Sequence, residues 1–305
     1  MLVLGLVMTA PLLILLLPKK SSVMANVAAE ELRLDQWPMS TTAVRGRKVY
    51  QRHCLGCHGE EGRGDGAAAA YLNPRPRNFQ YGAFKFRTTP TGKLPKAEDI
   101  LRTITCGLPG SSMPSFNLLP EPDRRDVADY VLHVATFRDG KGEVADAISR
   151  EGLKLADIVS GPRLTEIKAM VWKDKILDVS PVAVPPSPKV TPELIAKGKT
   201  RYMAECNRCH GDSGRGDGQS SKSLRDWQDE QILARDFTTG VFRAGSRPED
   251  LFIRMRTGLN GTPMPSIPGT DEEIWALAHF IMSLKDPNAQ PARLAHGCAS
   301  SENVK

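Results

Sequence analysis

Aromatic side chains are scarce in this 305-residue chain: Phe, Tyr and Trp together make up 6%, while 23 prolines and 26 glycines break it into many loops. At roughly 150 residues per domain the length suits two globular domains. Two cores built with so few large side chains need some other apolar body inside them. Long basic runs are missing as well. The 41 Lys and Arg exceed the 35 Asp and Glu by only +6, spread over mixed-sign segments, which argues against nucleic acid as a partner. With 40% apolar and 25% charged residues, the chain reads neither as disordered nor as a polytopic membrane protein. The cysteines lack the scatter of a disulfide framework: of Cys54, Cys57, Cys106, Cys206, Cys209 and Cys298, four fall in two Cys-x-x-Cys pairs.

Residues 2–18 (LVLGLVMTAPLLILLLP) are uncharged and almost wholly apolar. As a helix these seventeen residues reach about 25 Å, a little short of the roughly 30 Å hydrocarbon core, and Pro11 weakens the middle. Residues 1–20 are therefore a membrane anchor or the core of a signal peptide. Val23-Met24-Ala25 offers a cleavage site, but Lys19 and Lys20 follow the apolar run where a signal peptide has them in front. Either reading sends the chain to the export machinery.

The strongest feature is an internal repeat at an offset near 152. Cys54-Leu55-Gly56-Cys57-His58 returns as Cys206-Asn207-Arg208-Cys209-His210, and GRGDG at 62–66 returns unchanged at 214–218. Arg77 and Phe79 match Arg235 and Phe237, Phe86-Arg87 matches Phe242-Arg243, and the stretch from Asp99 to Met113 matches that from Asp250 to Met264. Each copy opens with a helical pattern, roughly 42–54 and 192–206, the second begun by Thr191 as N-cap and Pro192 at the first position. Each closes with an amphipathic one around Tyr130 and Phe280. The reading is mainly α: domains at 40–138 and 190–287, a linker at 139–189 that ends in a Pro-rich extended run, and a tail at 288–305.

Cys-x-x-Cys-His is the spacing of covalent c-type haem attachment. Thiols at i and i+3 on one helical turn reach two vinyl groups, and the histidine at i+4 turns its imidazole to the iron. Two such motifs predict two covalently attached haem c groups, on Cys54, Cys57 and His58 and on Cys206, Cys209 and His210. Zinc would want four ligands per site and a thioredoxin-like dithiol a βαβ context; neither is visible. Met113 lies 55 residues after His58 and Met264 lies 54 after His210, each beside proline in a Gly-rich segment before the closing helix. These two are the expected second axial ligands, and their soft sulfur favours ferrous iron. Phe79 and Phe237 are read as packing on the porphyrins, with Arg77 and Arg235 pairing with propionates or lying in solvent. The GRGDG loops are read as tight turns, since no following Lys-Ser or Lys-Thr makes them phosphate cradles. Met203, Met255 and Met282 are read as core, and His53, His133, His279 and His296 as surface or satisfied core. Cys106 is read as a small buried side chain, with a thiolate ligand as its functional alternative; Cys298 is a free thiol or pairs with Cys106.

At these residues the chain resembles the class I cytochrome c family, in a tandem di-haem form, over about two-thirds of its length. The resemblance implies a helical fold around each haem, with Tyr130 and Phe280 packed against the opening helices. It implies an electron carrier on the periplasmic side of the cytoplasmic membrane, held by residues 2–18 or released on cleavage, passing single electrons between a respiratory donor and a terminal acceptor. The other readings are a di-haem enzyme of the peroxidase or thiosulfate-oxidising kind and the cytochrome subunit of a larger oxidoreductase complex.

Overall fold

The computed structural model describes residues 39–137 and 178–289, together with Glu166 and Met170. The apolar segment 2–18, most of the linker, the tail with Cys298, and His296 lie outside the described residues. No helix among the described residues is long and apolar enough to cross a membrane.

Among the described residues the structure is helices and loops, with one isolated bridge between Arg225 and Gln231 and no extended strand. Each half repeats one order: an opening helix (Thr41–His53; Pro192–Glu205), a short turn of helix carrying the haem motif (Leu55–His58; Asn207–His210), a middle helix (Ala97–Cys106; Pro248–Thr257) and a closing helix (Glu121–Phe137; Asp271–Ser283). Local chemistry sets the starts. Ser40 accepts from the Ala43 N–H at 3.1 Å, and Thr191 accepts from Leu194 with Pro192 just inside, as its sequence predicts. Thr270 and Glu273 form a reciprocal capping box ahead of the last helix.

Opening and closing helices cross closely in both halves, and the contact is made by a glycine. A Cβ on Gly46 would lie 1.9 Å from the Asp126 carbonyl oxygen, and one on Gly198 would lie 2.1 Å from that of Ala276. Glycine costs helix propensity, and here it admits one backbone against another. Beside each crossing Tyr50 meets Tyr130 with ring centroids 5.1 Å apart and a 58° tilt, and Tyr202 meets Phe280 at 5.1 Å and 57°. The family resemblance implied that Tyr130 and Phe280 pack against the opening helices, and the structure supplies their partners, Tyr50 and Tyr202. Around them Val127, Val131 and Val134, and Ile274, Leu277 and Ile281, are buried, each contributing roughly 1.5–3 kcal/mol of apolar transfer energy.

The halves also pack on one another, reciprocally. The Arg235 guanidinium of the second half lies against Gly110 of the first, and Arg77 of the first lies against Gly261, the matching glycine of the second. Arg87 donates to the Thr257 carbonyl at 2.7 Å, Tyr81 rests on Trp227 with centroids 4.2 Å apart, and Arg102 pairs with the buried Asp250 at 2.6 Å. The described end of the linker touches both: the Val182 N–H donates to the Thr88 carbonyl at 2.7 Å, and Ser187 Oγ is 2.8 Å from His279 Nε2.

Candidate haem sites

Each haem motif sits where its opening helix ends. Cys54 and Cys206 close one helix and start the next turn, so the two cysteines and the histidine are presented on a single coil of backbone; His58 N–H donates to the Cys54 carbonyl at 2.9 Å and His210 to Cys206 at 3.0 Å. The chain then reverses at Gly59 (φ 80°) and Gly211 (φ 76°). A Cβ at these glycines would fall 1.9 Å and 2.0 Å from a carboxylate oxygen of Asp65 and Asp217, the aspartates of the two GRGDG turns. That repeat is thus a tight turn folded back on the haem motif. The Tyr50 and Tyr202 hydroxyls fasten it, donating to the Gly59 and Gly211 carbonyls at 2.7 Å each.

The imidazoles are oriented from behind. His58 Nδ1 is 3.1 Å from the Arg77 carbonyl and His210 Nδ1 is 3.3 Å from that of Arg235. A carbonyl only accepts, so the proton is on Nδ1 and the Nε2 lone pair is left for iron. Burial pushes the His58 pKa down against the raising effect of that bond, with the Arg77 charge acting the same way as burial; burial does likewise at His210. Both rings are held neutral, the state a metal ligand requires. Phe79 and Phe237, each 8% exposed, stack on these imidazoles at 4.5 Å and 21° and at 4.4 Å and 20°. In the polypeptide they stack on the motif histidine and on a second phenylalanine, Phe84 at 5.9 Å and Phe242 at 5.7 Å, with Phe79 also lining the first cleft.

The methionine loops match bond for bond. Leu108 N–H donates to the Met113 carbonyl at 3.1 Å and Leu259 to Met264 at 3.0 Å, while Ser111 and Thr262 hydroxyls accept from the two methionine N–H groups at 3.3 Å and 3.2 Å. In the first half Cys54, Cys57, His58 and Met113 line one cleft, walled by Ile100, Ile104 and Val127 and bordered by Arg75, Arg77, Lys85 and Arg243. None of the four motif cysteines is in a disulfide, so each is available for a thioether; before attachment, burial pushes the Cys54 thiol up to about 12 and that of Cys206 up to about 11. Two thiols, one imidazole with a free lone pair, one thioether, an apolar wall and a border of cations make up the donor set of a covalently held porphyrin with carboxylate tails. Arg243 Nε, buried without an acceptor in the polypeptide, is a polar atom such a tail would satisfy. Among the described residues no group of three or more His, Cys, Asp and Glu side chains could hold a bare metal ion.

A profile of the cytochrome c family matches residues 43–135 and 195–285. The chain belongs to the cytochrome c family. Its two domains carry two covalently attached c-type haems with iron. A chain of the Kuenenia stuttgartiensis reducing HAO-like protein complex is a similar solved structure: 38% identical, covering 82% of this chain and 98% of that one, with a TM-score of 0.64. No curated protein matches.

Two expectations change. Cys106 is only partly buried and is disulfide-bonded, so it is neither a small core side chain nor a free thiolate for iron. Arg77 and Arg235 are not simply surface groups: their carbonyls hold the motif histidines and their guanidinium groups lie at the contact between domains. Met255 is buried and Met203 and Met282 pack on the second core, as read; His53 is exposed, and His133 and His279 are buried.

Proposed function

We propose that this cytochrome is a single-electron carrier built as a subunit of a larger redox assembly. The observation that carries the electron-transfer reading is the matched pair of methionine loops. His58 and Met113 would hold one iron and His210 and Met264 the other, so that the chain would supply both donors to each. A bound haem supplies an iron that changes by one electron. The polypeptide fixes the imidazole through a backbone carbonyl, keeps it neutral and excludes water with apolar side chains, so little rearranges on transfer. A site built to activate peroxide or a sulfur substrate would leave an axial position open or occupied by a thiolate, and the bonded state of Cys106 argues against the latter. The similarity to a chain of a reducing HAO-like complex supports the subunit reading over the freely diffusing carrier between a respiratory donor and a terminal acceptor. The apolar segment 2–18 supports export to the periplasmic side of the cytoplasmic membrane.

The test is ferric absorption and low-temperature EPR on protein with a pyridine-haemochrome count of two. Two low-spin His/Met signals with the near-infrared sulfur-to-iron band are expected. A high-spin signal, or rapid cyanide binding to the protein as isolated, would turn the reading towards catalysis. Native mass analysis after gentle extraction should find the chain with a second haem protein; a lone chain overturns the subunit reading.

A further inference from the structure

One side chain bordering the first haem cleft comes from the other domain. Arg243 lies in the loop before the second middle helix, yet its guanidinium borders the space lined by Cys54, His58 and Met113. One of its terminal nitrogens donates to the Gly110 carbonyl at 2.7 Å, in the loop that carries Met113. Its Nε is buried and finds no acceptor in the polypeptide. The groups around it are chiefly cationic. Arg77 and Lys85 border the same cleft, Arg235 lies near enough to reinforce the lowering of Arg243 by burial, and Asp226 is the carboxylate that bears on Arg77 and Lys85. Burial first, then Arg77 and Arg243, bring Lys85 down to about 8. Glu230 is taken by Arg75 at 3.2 Å, which leaves Asp226 facing Arg77, Lys85 and Arg243, and this excess of part-buried positive charge calls for a further anion.

The repeat supplies the comparison. Phe84 stacks on Phe79 as Phe242 stacks on Phe237, so the residue matching Arg243 is Lys85, which borders the same cleft; two residues on, the Arg87 guanidinium is consumed by carbonyls: Thr257 at 2.7 Å, Phe84 at 3.2 Å, Pro90 at 3.4 Å and Gly258 at 3.5 Å. Arg87 is a strut. Arg243 makes one such bond and keeps a buried N–H unused.

Resting on the haem reading above, we infer that Arg243 binds a propionate of the haem in the first domain, so that the second domain completes the first domain's cofactor site. The pairing is the charge-assisted kind that guanidinium groups make with carboxylates. A fixed cation at the haem edge disfavours ferric iron and raises the potential of that haem.

The test uses the whole chain in a Met264→His background, where the sulfur-to-iron band reports the first haem alone. A haem count comes first, and fewer than two in the unsubstituted protein refutes the haem reading itself. With two haems present, redox titration of the band should show a lower midpoint potential in Arg243→Gln at full band intensity, and Arg243→Lys should recover most of the difference. An unchanged potential overturns the inference. So does a fall that Lys does not repair, or loss of the band, which would mean that Arg243 acts only by holding Gly110 and the methionine loop. Should Arg243→Gln fail to assemble, Arg243→Lys alone still decides: a small fall supports the inference and none overturns it.

Discussion

Placing alanine at Gly46 should destabilise the first domain, although the same change in an exposed helix interior ordinarily stabilises by about 0.5–1 kcal/mol. The sign is decided by the crossing. An added Cβ would lie 1.9 Å from the Asp126 carbonyl oxygen and 2.4 Å from its carbon, where ordinary contact begins at 3.4 Å, so the helices must part by 3.4 minus 1.9, or 1.5 Å. The obstacle is backbone and cannot rotate away. Parting the helices also loosens the Tyr50–Tyr130 contact and the buried valines beside it. Overpacking of this kind costs about 1–3 kcal/mol, and the rigid obstacle puts Gly46→Ala near the upper end. For a domain of this size each kcal/mol moves the melting temperature by about 4–8 °C, so a fall of at least 10 °C is expected. Thermal melts of the holoprotein, followed through the sulfur-to-iron band, should lose half the band early; Gly198→Ala should do the same for the other half. An unchanged or raised melting temperature in both variants would refute the claim that these glycines exist to admit a backbone.

Three further outcomes are expected. Tyr50→Phe leaves the Gly59 carbonyl without its donor and should cost about 1–2 kcal/mol in denaturant melts without changing haem content. Met113→Ala should remove half of the sulfur-to-iron band, give a high-spin ferric signal and admit cyanide to one haem, while Met264→Ala does so at the other; an unaltered spectrum would remove that methionine from the iron. At Asp250 burial alone would raise the carboxyl, but the Arg102 charge and hydrogen bond, the Arg247 N–H and the Arg254 charge outweigh it and hold the pKa below the ordinary carboxylate range. Its contribution is then present above the unfolded pKa and lost as pH falls through the lowered folded one. Melting temperature should drop on acidification less steeply in Asp250→Asn, which costs about 2 kcal/mol at neutral pH, less than an enclosed pair because the Arg102 side chain keeps 39% of its surface exposed.

The haem motifs, the matching methionine loops and the four-part order of each half were legible because covalent attachment needs fixed residue types and duplication printed each of these features twice. What escaped was chemistry carried by the backbone. The carbonyls of Arg77 and Arg235 that orient the imidazoles are groups any residue possesses, so no side chain announced them. Gly46 and Gly198 also recur at the repeat offset, as do Tyr50 and Tyr202, and self-comparison would have flagged all four. Their reasons, a helix crossing and a turn carbonyl, appear only once the partner element is in place. Cys106 has a threonine opposite it in the repeat, so duplication was silent there and the disulfide was not chosen between the readings. The contact between domains was the least legible feature, since it joins residues some 150 positions apart largely through carbonyls and glycines.

One part of that contact is self-complementary: Arg77 of one half meets Gly261 of the other, and Arg235 meets Gly110, equivalent residues playing equivalent parts. A surface of this kind pairs with its own copy, as the two-fold faces of homodimers do. A single-haem ancestor bearing it would already have assembled in twos, and gene fusion would have had only to tether what was docked. Once tethered, such halves are free to become unequal, as Lys85 and Arg243, matching positions with different cations, already are.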